Sequence, residues 1–305
     1  MKQGEGETVF RAGPLPEGLH VVSTPIGAAR DITLRALDVL ASADVLAAED
    51  TRVLRRLMEI HGVPLAGRPL LPYHDHNGAA QRPALLAHLA RGERVAYASD
   101  AGTPLVADPG FALVRDAAAA GHAVHAVPGA SALLAALVTA GLPSDRFLFA
   151  GFPPPRSAAR RTWLGEIAEV KATLVLYESG RRIGALLADL SAIGQGARDA
   201  VLCRELTKRF EEAQRGSVED LAARHATSAP KGEIVLVLGP PPDRAAAPGE
   251  IEAALRAALA EMPLRQAAAQ VAAEFGARKR SIYQMGLELD RTRPEEDDGD
   301  ADDRD

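Results

Sequence analysis

Residues 94–110, RVAYASDAGTPLVADPG, constrain the fold more than any other stretch. Residues 95–99 are a short apolar run of the kind that forms a buried strand. Asp100, Gly102, Pro104, Asp108, Pro109 and Gly110 then crowd one loop, and a helical pattern runs from Phe111 until Gly121 stops it. A strand ending in Gly-Thr-Pro and Asp-Pro-Gly sets backbone N–H and C=O groups along the carboxyl edge of a sheet. Open α/β sheets take their ligands at that edge.

The same rhythm precedes and follows this stretch. Residues 19–23 read as a strand that breaks at Thr24-Pro25-Ile26-Gly27, and Asp31 or Thr33 can cap a helix through Leu40. Residues 44–48 form a strand ending in Glu49-Asp50-Thr51-Arg52, with a helix to about His61. Residues 71–78 read as a polar loop, 83–91 as a helix and 123–127 as a strand. Pro128-Gly129-Ala130-Ser131 then opens a second ligand-type loop before an Ala/Leu-rich helix. Strand–helix alternation without hairpin signals predicts a parallel sheet.

Past Gly141 the rhythm changes. Strands are expected at 146–150, 173–177, 200–204 and 233–238, and a helix at 162–170. The basic, proline-rich segment 151–161 reads as irregular. A linker, PPPDRAAAP, leads to helical patterns at 250–261, 264–275 and 281–289. Gly276 ends the second of these, and Arg278-Lys279-Arg280 precedes the third, the outline of a helix-turn-helix. A small bundle that packs or dimerises fits the same pattern. The expected organisation is therefore a flexible arm (1–17), an α/β domain (18–130), a second, mixed α/β domain (131–239), a linker (240–248), a helical module (249–290) and an acidic tail (291–305).

At 305 residues and 47% hydrophobic, the chain can bury a substantial core. Its one cysteine, Cys203, excludes an intramolecular disulfide framework. The first ten residues hold no signal-peptide run, and no stretch of about 18 apolar residues offers a membrane span. A soluble, cytoplasmic protein without membrane contact is expected. The net charge of −6 misleads, because residues 295–305 hold eight acids and one arginine, and the other 294 residues carry +1. An acidic total thus says nothing against nucleic-acid binding.

The loops narrow the ligand. The first turn lacks the glycine pattern of a dinucleotide site, and no Walker loop is present. A ligand without phosphates fits better. S-adenosylmethionine is one, a sulfonium cation whose charge a carboxylate such as Asp100 can face.

Nine segments carry a closer likeness: TPIGAARDITLRAL (24–37), AAEDTR (47–52), HDHN (74–77), SDAGTPLVADPG (99–110), PGAS (128–131), GLPSDRF (141–147), YES (177–179), RELTK (204–208) and KGEIVLV (231–237). In this order they resemble the small-subunit ribosomal RNA 2′-O-methyltransferases of the tetrapyrrole-methylase-like superfamily. The resemblance implies two α/β domains with S-adenosylmethionine in the cleft between them, and a homodimer. It also implies methylation of a cytidine ribose in the decoding centre of 16S rRNA, in the small ribosomal subunit. It carries the donor site onto Pro25, Asp100, Ala101, Thr103, Val106, Ser131 and Ala132, with Tyr177 and Glu178 from the second domain.

An acceptor hydroxyl is a weak acid, so a base or orienting group assists it. Glu49, Asp50, His74, His76, Glu178 and Glu205 are candidates, and Glu49 and His76 are the pair chosen for chemistry. Two histidines flanking Asp75, without further ligands, do not make a metal site. Arg52, Arg156, Arg204, Lys208, Arg278, Lys279 and Arg280, together with Arg160 and Arg161, offer charge for RNA phosphates. Two other readings stand beside this one: a methyltransferase of a tetrapyrrole or other small molecule, and a DNA-binding regulator that uses its last three helices.

Overall fold

The computed structural model describes residues 10–242 and 248–291. The start of the expected arm, residues 243–247 of the expected linker and the acidic tail beyond Arg291 lie outside the described residues. The chain divides into two compact units, one through Pro240 and one from Pro241.

The first unit holds two five-stranded sheets. Strands β1 (Gly18–Val22), β2 (Val45–Ala48), β3 (Leu70–Pro72), β4 (Arg94–Ala98) and β5 (Val124–Val127) lie in the order β3-β2-β4-β1-β5. All four pairings are parallel. Helices α1 (Leu34–Ser42), α2 (Thr51–Ile60), α3 (Gly78–Ala90) and α4 (Phe111–Ala119) supply the connections that parallel strands require. The Thr33 hydroxyl caps α1 and the Asp50 carboxylate caps α2. Both faces of the sheet are covered, and β4 shows how the sequence encodes this. Val95 and Tyr97 pack with Leu85, Leu89 and Leu113 of α3 and α4, while Ala96 and Ala98 pack with Leu37, Leu40, Leu54 and Met58 of α1 and α2. Each such buried leucine contributes about 1.5–3 kcal/mol.

Helix α5 (Ala132–Ala140) follows β5 but packs on the second sheet. That sheet comprises β6 (Phe147–Gly151), β7 (Thr173–Ser179), β8 (Asp199–Arg204), β9 (Glu212–Ser217) and β10 (Glu233–Leu238), in the order β6-β7-β10-β8-β9. Only β6 and β7 run parallel. Helices α6 (Ser157–Ala168), α7 (Ile183–Leu190) and α8 (Val218–Arg224) cover its other face through Leu164, Leu186, Leu190 and Leu221.

The expected α/β architecture is present, with four local differences. Strand β3 emerges from the expected polar loop. It is three residues long and ends on Pro72, which an edge position tolerates. Strand β9, EAQRGS, has too little apolar alternation to be visible in sequence, and it is held at the sheet edge by pairing with β8. Helices α7 and α8 were not anticipated. The segment 151–161 is not irregular throughout, because its prolines end at Pro155 and α6 begins at Ser157.

In the second unit, α9 (Pro248–Glu261), α10 (Leu264–Phe275) and α11 (Lys279–Arg291) pack through Leu255, Ala268, Val271 and Ile282. Gly276, at φ 63°, caps α10 as expected. A side chain at Gly286 would collide with Leu264, so the helices approach closely there. No helix among the described residues is long and apolar enough to cross a membrane.

Candidate active site

The loops at the carboxyl ends of β1, β4 and β5 are laced together. Thr24 and Gly102 exchange backbone hydrogen bonds of 2.9 and 3.1 Å. Ser23 Oγ donates to Thr103 Oγ1, and Thr103 Oγ1 donates to the Ala130 carbonyl, each at 3.1 Å. The β4–α4 loop is fixed at its far end by the buried Tyr97, whose hydroxyl donates to the Pro109 carbonyl at 2.9 Å. Gly110 sits at φ 121°, and a Cβ there would meet Tyr97 Cε1 at 2.6 Å. Two non-glycine residues of this loop, Leu105 and Ala107, also hold positive φ, at 71° and 61°. Strained backbone of this kind gathers at functional sites.

The second sheet approaches the same loops. Ala28 N–H donates to Thr207 Oγ1 at 3.1 Å. A Cβ at Gly27 would meet Lys208 Cγ at 2.5 Å and Thr207 Oγ1 at 2.7 Å, so this approach demands glycine. Glu205 and Thr207 hold positive φ, at 50° and 62°.

A cavity of about 330 Å³ lies between the two sheets. The parallel sheet contributes Ile26, Glu49 and much of the stretch from Asp100 to Asp108, and Ser131 and Ala132 follow β5. The mixed sheet contributes Tyr177, Glu178 and Ser179 from β7, Cys203 from β8, Glu205, Leu206 and Lys208 from the next loop, and Glu233, Ile234 and Val235 from β10. Phe152 completes the wall. It is exposed and meets the Tyr177 ring edge-on at 5.5 Å.

Eight of the nine residues carried over for the donor line this cavity. Pro25 is buried and is not part of the lining. Tyr177 is positioned by accepting from the Leu133 N–H at 2.9 Å, and burial raises its pKa. Glu178 is buried, and its Oε1 accepts from the Ser179 N–H at 2.8 Å. Its Oε2 lies 3.1 Å from Arg182 Nη2 but makes no hydrogen bond of acceptable geometry, since that amino group donates to the carbonyls of Pro153 and Pro154. A buried carboxylate oxygen on a cavity wall that is ion-paired but accepts no hydrogen bond suits a ligand N–H or O–H.

The two residues chosen for chemistry are separated. Glu49 lies in the cavity wall, and its pKa is raised by burial and then by the Asp100 charge. His76 is exposed and outside the lining, with its ring 6.0 Å from that of His74. Asp50 caps α2 and pairs with Arg52, which holds its carboxyl down at about 2. The Asp50 N–H donates to Asp100 Oδ1 at 2.8 Å, so Asp100 braces this turn while facing the cavity.

Asp108, legible in sequence only as a turn residue, is the acid most perturbed. Burial and then the Glu49 charge push its pKa up to about 7. Its signal in sequence is its place in the same loop as Asp100, eight residues on. Among the described residues, no group of three or more His, Cys, Asp or Glu side chains is placed to hold a metal.

The basic residues also divide. Lys208 lines the cavity but is paired with Glu205 and Glu233, and Arg204 is paired with Glu212. Arg160 is buried against Asp189 at 2.6 Å, which removes it from any RNA surface. Arg156, Arg278, Lys279 and Arg280 are exposed, the last two in the first turn of α11.

Comparison with known proteins agrees with this geometry. Residues 18–222 match the family of Tetrapyrrole (Corrin/Porphyrin) Methylases, and residues 245–290 match the RsmI C-terminal HTH domain. The ribosomal RNA small subunit methyltransferase I of Mesorhizobium japonicum is 47% identical over 96% of this chain and 99% of its own. That of Pseudomonas aeruginosa is 44% identical over 88% of this chain and 96% of its own. In fold, the chain is similar to a uroporphyrin-III C-methyl transferase from Thermus thermophilus solved with S-adenyl homocysteine. The TM-score there is 0.50 at 23% identity, covering 73% of this chain and 97% of that one. The chain belongs to the tetrapyrrole methylases and, within them, to the ribosomal RNA small subunit methyltransferase I family.

Proposed function

We propose that this protein transfers a methyl group from S-adenosylmethionine to the ribose 2′-hydroxyl of a decoding-centre cytidine in 16S rRNA. The observation that carries the reading is near full-length likeness, at 47% and 44% identity, to two ribosomal RNA small subunit methyltransferases. The cavity supports the donor. It offers carboxylates at Glu49 and Asp100 to a cation, backbone groups of residues 101–103, and, to an amino group, the Glu178 Oε2 that accepts no hydrogen bond among the described residues. A protein of the same fold holds S-adenyl homocysteine. The donor brings a methyl group already activated by its sulfonium, so the protein's chief tasks are to orient the two substrates and exclude water. Pro25 shapes the turn beneath the site, while Asp100, Ala101, Thr103, Val106, Ser131, Ala132, Tyr177 and Glu178 hold the donor. Glu49 assists at the acceptor. His76, outside the cavity, is kept for the RNA side.

The exposed Arg156 and the Arg278–Lys279–Arg280 run contact RNA phosphates, and Arg52, Arg204 and Lys208 do so only if their carboxylate partners are exchanged for phosphate. The family resemblance extends the reading to a cytoplasmic homodimer, which sedimentation tests directly. Ribose-methylation mapping of 16S rRNA from cells with and without this protein tests the whole reading. One cytidine methylated only in its presence is the expected result, and identical maps would refute it.

A further inference from the structure

The proposed transfer leaves one proton unassigned. We propose that Asp108 is the catalytic base, accepting the proton of the attacking hydroxyl, and that Glu49, in the same cavity wall, is its positioning residue. This rests on the methyl transfer to a hydroxyl proposed above.

Geometry comes first. Asp108 lies in the cavity wall with Glu49 and Asp100. It follows Ala107, one of the two left-handed non-glycine residues of its loop, and precedes Pro109, whose carbonyl is tied to Tyr97. Each such left-handed residue costs about 1–3 kcal/mol and persists only where surrounding structure over-determines it. The loop therefore fixes the backbone that presents Asp108 to the cavity.

Charge comes second. Asp108 shares its cavity wall with Glu49 of the β2–α2 loop and Asp100 of its own loop, and feels their charge and that of Asp75 in the β3–α3 loop, while the lysine of the lining, Lys208, is paired with Glu205 and Glu233. Among the described residues, no ion pair compensates Glu49, Asp100 or Asp108. Burial and the like charge of Glu49 prevail over a hydrogen bond with Ser99, and the carboxyl titrates near neutrality. A base works best with its pKa near the operating pH. A third observation is independent of these acids. On the mixed-sheet side, the buried Glu178 lines the same cavity, its Oε2 ion-paired with Arg182 at 3.1 Å but accepting no hydrogen bond among the described residues, which leaves that oxygen able to accept one from a ligand.

The step balances without another reactant. The hydroxyl oxygen forms a bond to the methyl carbon, the carbon–sulfur bond breaks with its electron pair left on sulfur, and the O–H proton passes to Asp108. The sulfonium becomes a neutral thioether, and the neutral carboxylic acid later loses its proton to water.

The test uses the full chain, saturating S-adenosylmethionine and small ribosomal subunits lacking the modification. The single-turnover rate should rise about tenfold per pH unit up to the pKa of Asp108 in the donor complex, which the cation sets below that of the free protein, and level off above it. Asp108→Asn should lose about 100-fold or more and abolish the limb. Glu49→Gln should move the midpoint to lower pH. Carboxyl NMR of the protein without substrates gives a second readout: one aspartate titrating near pH 7, absent in Asp108→Asn and shifted down in Glu49→Gln. A cooperative thermal melt followed by circular dichroism reports whether each variant folds. Should Asp108→Asn fail that check, the wild-type and Glu49→Gln titrations decide. An Asn variant within about threefold of wild type with its limb intact overturns the proposal, as does an unmoved midpoint in Glu49→Gln. Wild-type protein that methylates no ribose defeats the underlying function instead, and the assignment falls with it.

Discussion

The two sheets that face each other across the cavity treat charge in opposite ways. On the parallel side, Glu49, Asp100 and Asp108 line the cavity together, the last two on a strained loop, and among the described residues no cation pairs with them. On the mixed side, Arg160 of α6 is buried against Asp189 of α7. Arg198 is likewise buried, donating to the carbonyls of Ala168, Ala172 and Gly239, and burial lowers its pKa to about 10. Compensated charge buried under helices holds a sheet together. Uncompensated charge held on a cavity wall by strained backbone is tolerated where it serves a ligand.

The largest effect should follow from breaking compensation on the mixed side. Asp189→Ala leaves the Arg160 guanidinium buried without its carboxylate and should cost about 3–5 kcal/mol, read as a loss of denaturant midpoint. A loss below about 1 kcal/mol would mean that the guanidinium finds water, and the contrast between the sheets would fail there. Next is the scaffold of the parallel side. Gly110→Ala puts a Cβ into the Tyr97 ring at φ 121° and should cost about 2–3 kcal/mol while loosening the loop that carries Asp108. Unchanged stability with unchanged donor binding would show that the loop is not fixed from this end.

The same contrast explains what the sequence made legible. The strand ends beside Asp100, Ser131 and Tyr177 are visible because apolar runs stop abruptly at Gly, Pro and polar residues, a local signal. The capping role of Asp50 is local too, and Thr33 likewise turned out to cap its helix. Asp108 was hidden, because its perturbation comes first from burial and then from Glu49 at the end of β2, and only sheet order brings that strand end beside the loop after β4. Burial of Arg160 was hidden for the same reason, since Asp189 lies 29 positions away on a helix whose Ala/Leu sequence gave no boundary. Strand β9 was hidden because its place is set by pairing with β8 rather than by its own side chains.

A third prediction sharpens the claim that the parallel side carries uncompensated charge. Asp108 has a folded pKa near 7 against 3.8 for the ordinary group, so the folded state prefers its neutral form. Its stabilising contribution is full below about pH 3.8 and is lost as the pH rises through 7. A shift of three units corresponds to about 4 kcal/mol, which solvent at this half-buried site reduces to about 1–2 kcal/mol. Asp108→Asn should therefore be more stable than wild type by that amount at pH 8, with the gain gone near pH 4. Equal melting curves at both pH values would show that the carboxylate is not under strain.

Asp100 offers a narrower probe of the same wall. Asp100→Asn keeps the acceptor for the Asp50 N–H but removes the charge presented to the donor cation. Donor affinity should fall about tenfold, near 1.4 kcal/mol, by calorimetry. An unchanged dissociation constant would take Asp100 out of the donor site and leave it as a brace for the α2 turn.

The smallest effect on the first unit should come from the second. Arg278, Lys279 and Arg280 are exposed around the first turn of α11, where the helix N-terminus adds positive potential. Changing all three to Ala should leave melting temperature and donor affinity as they were, because these side chains bury nothing and lie outside the cavity lining. Binding to rRNA should weaken at low salt, and the slope of log affinity against log salt should flatten by up to about three phosphate contacts, each near 0.9. Activity on small subunits should fall through substrate affinity and recover at saturating particle concentration. Were the slope unchanged, the three helices would be a packing or dimerising module. RNA would then have to be gripped from the first unit, where Arg52, Arg204 and Lys208 are already engaged by carboxylates and Arg156 is left as the exposed candidate.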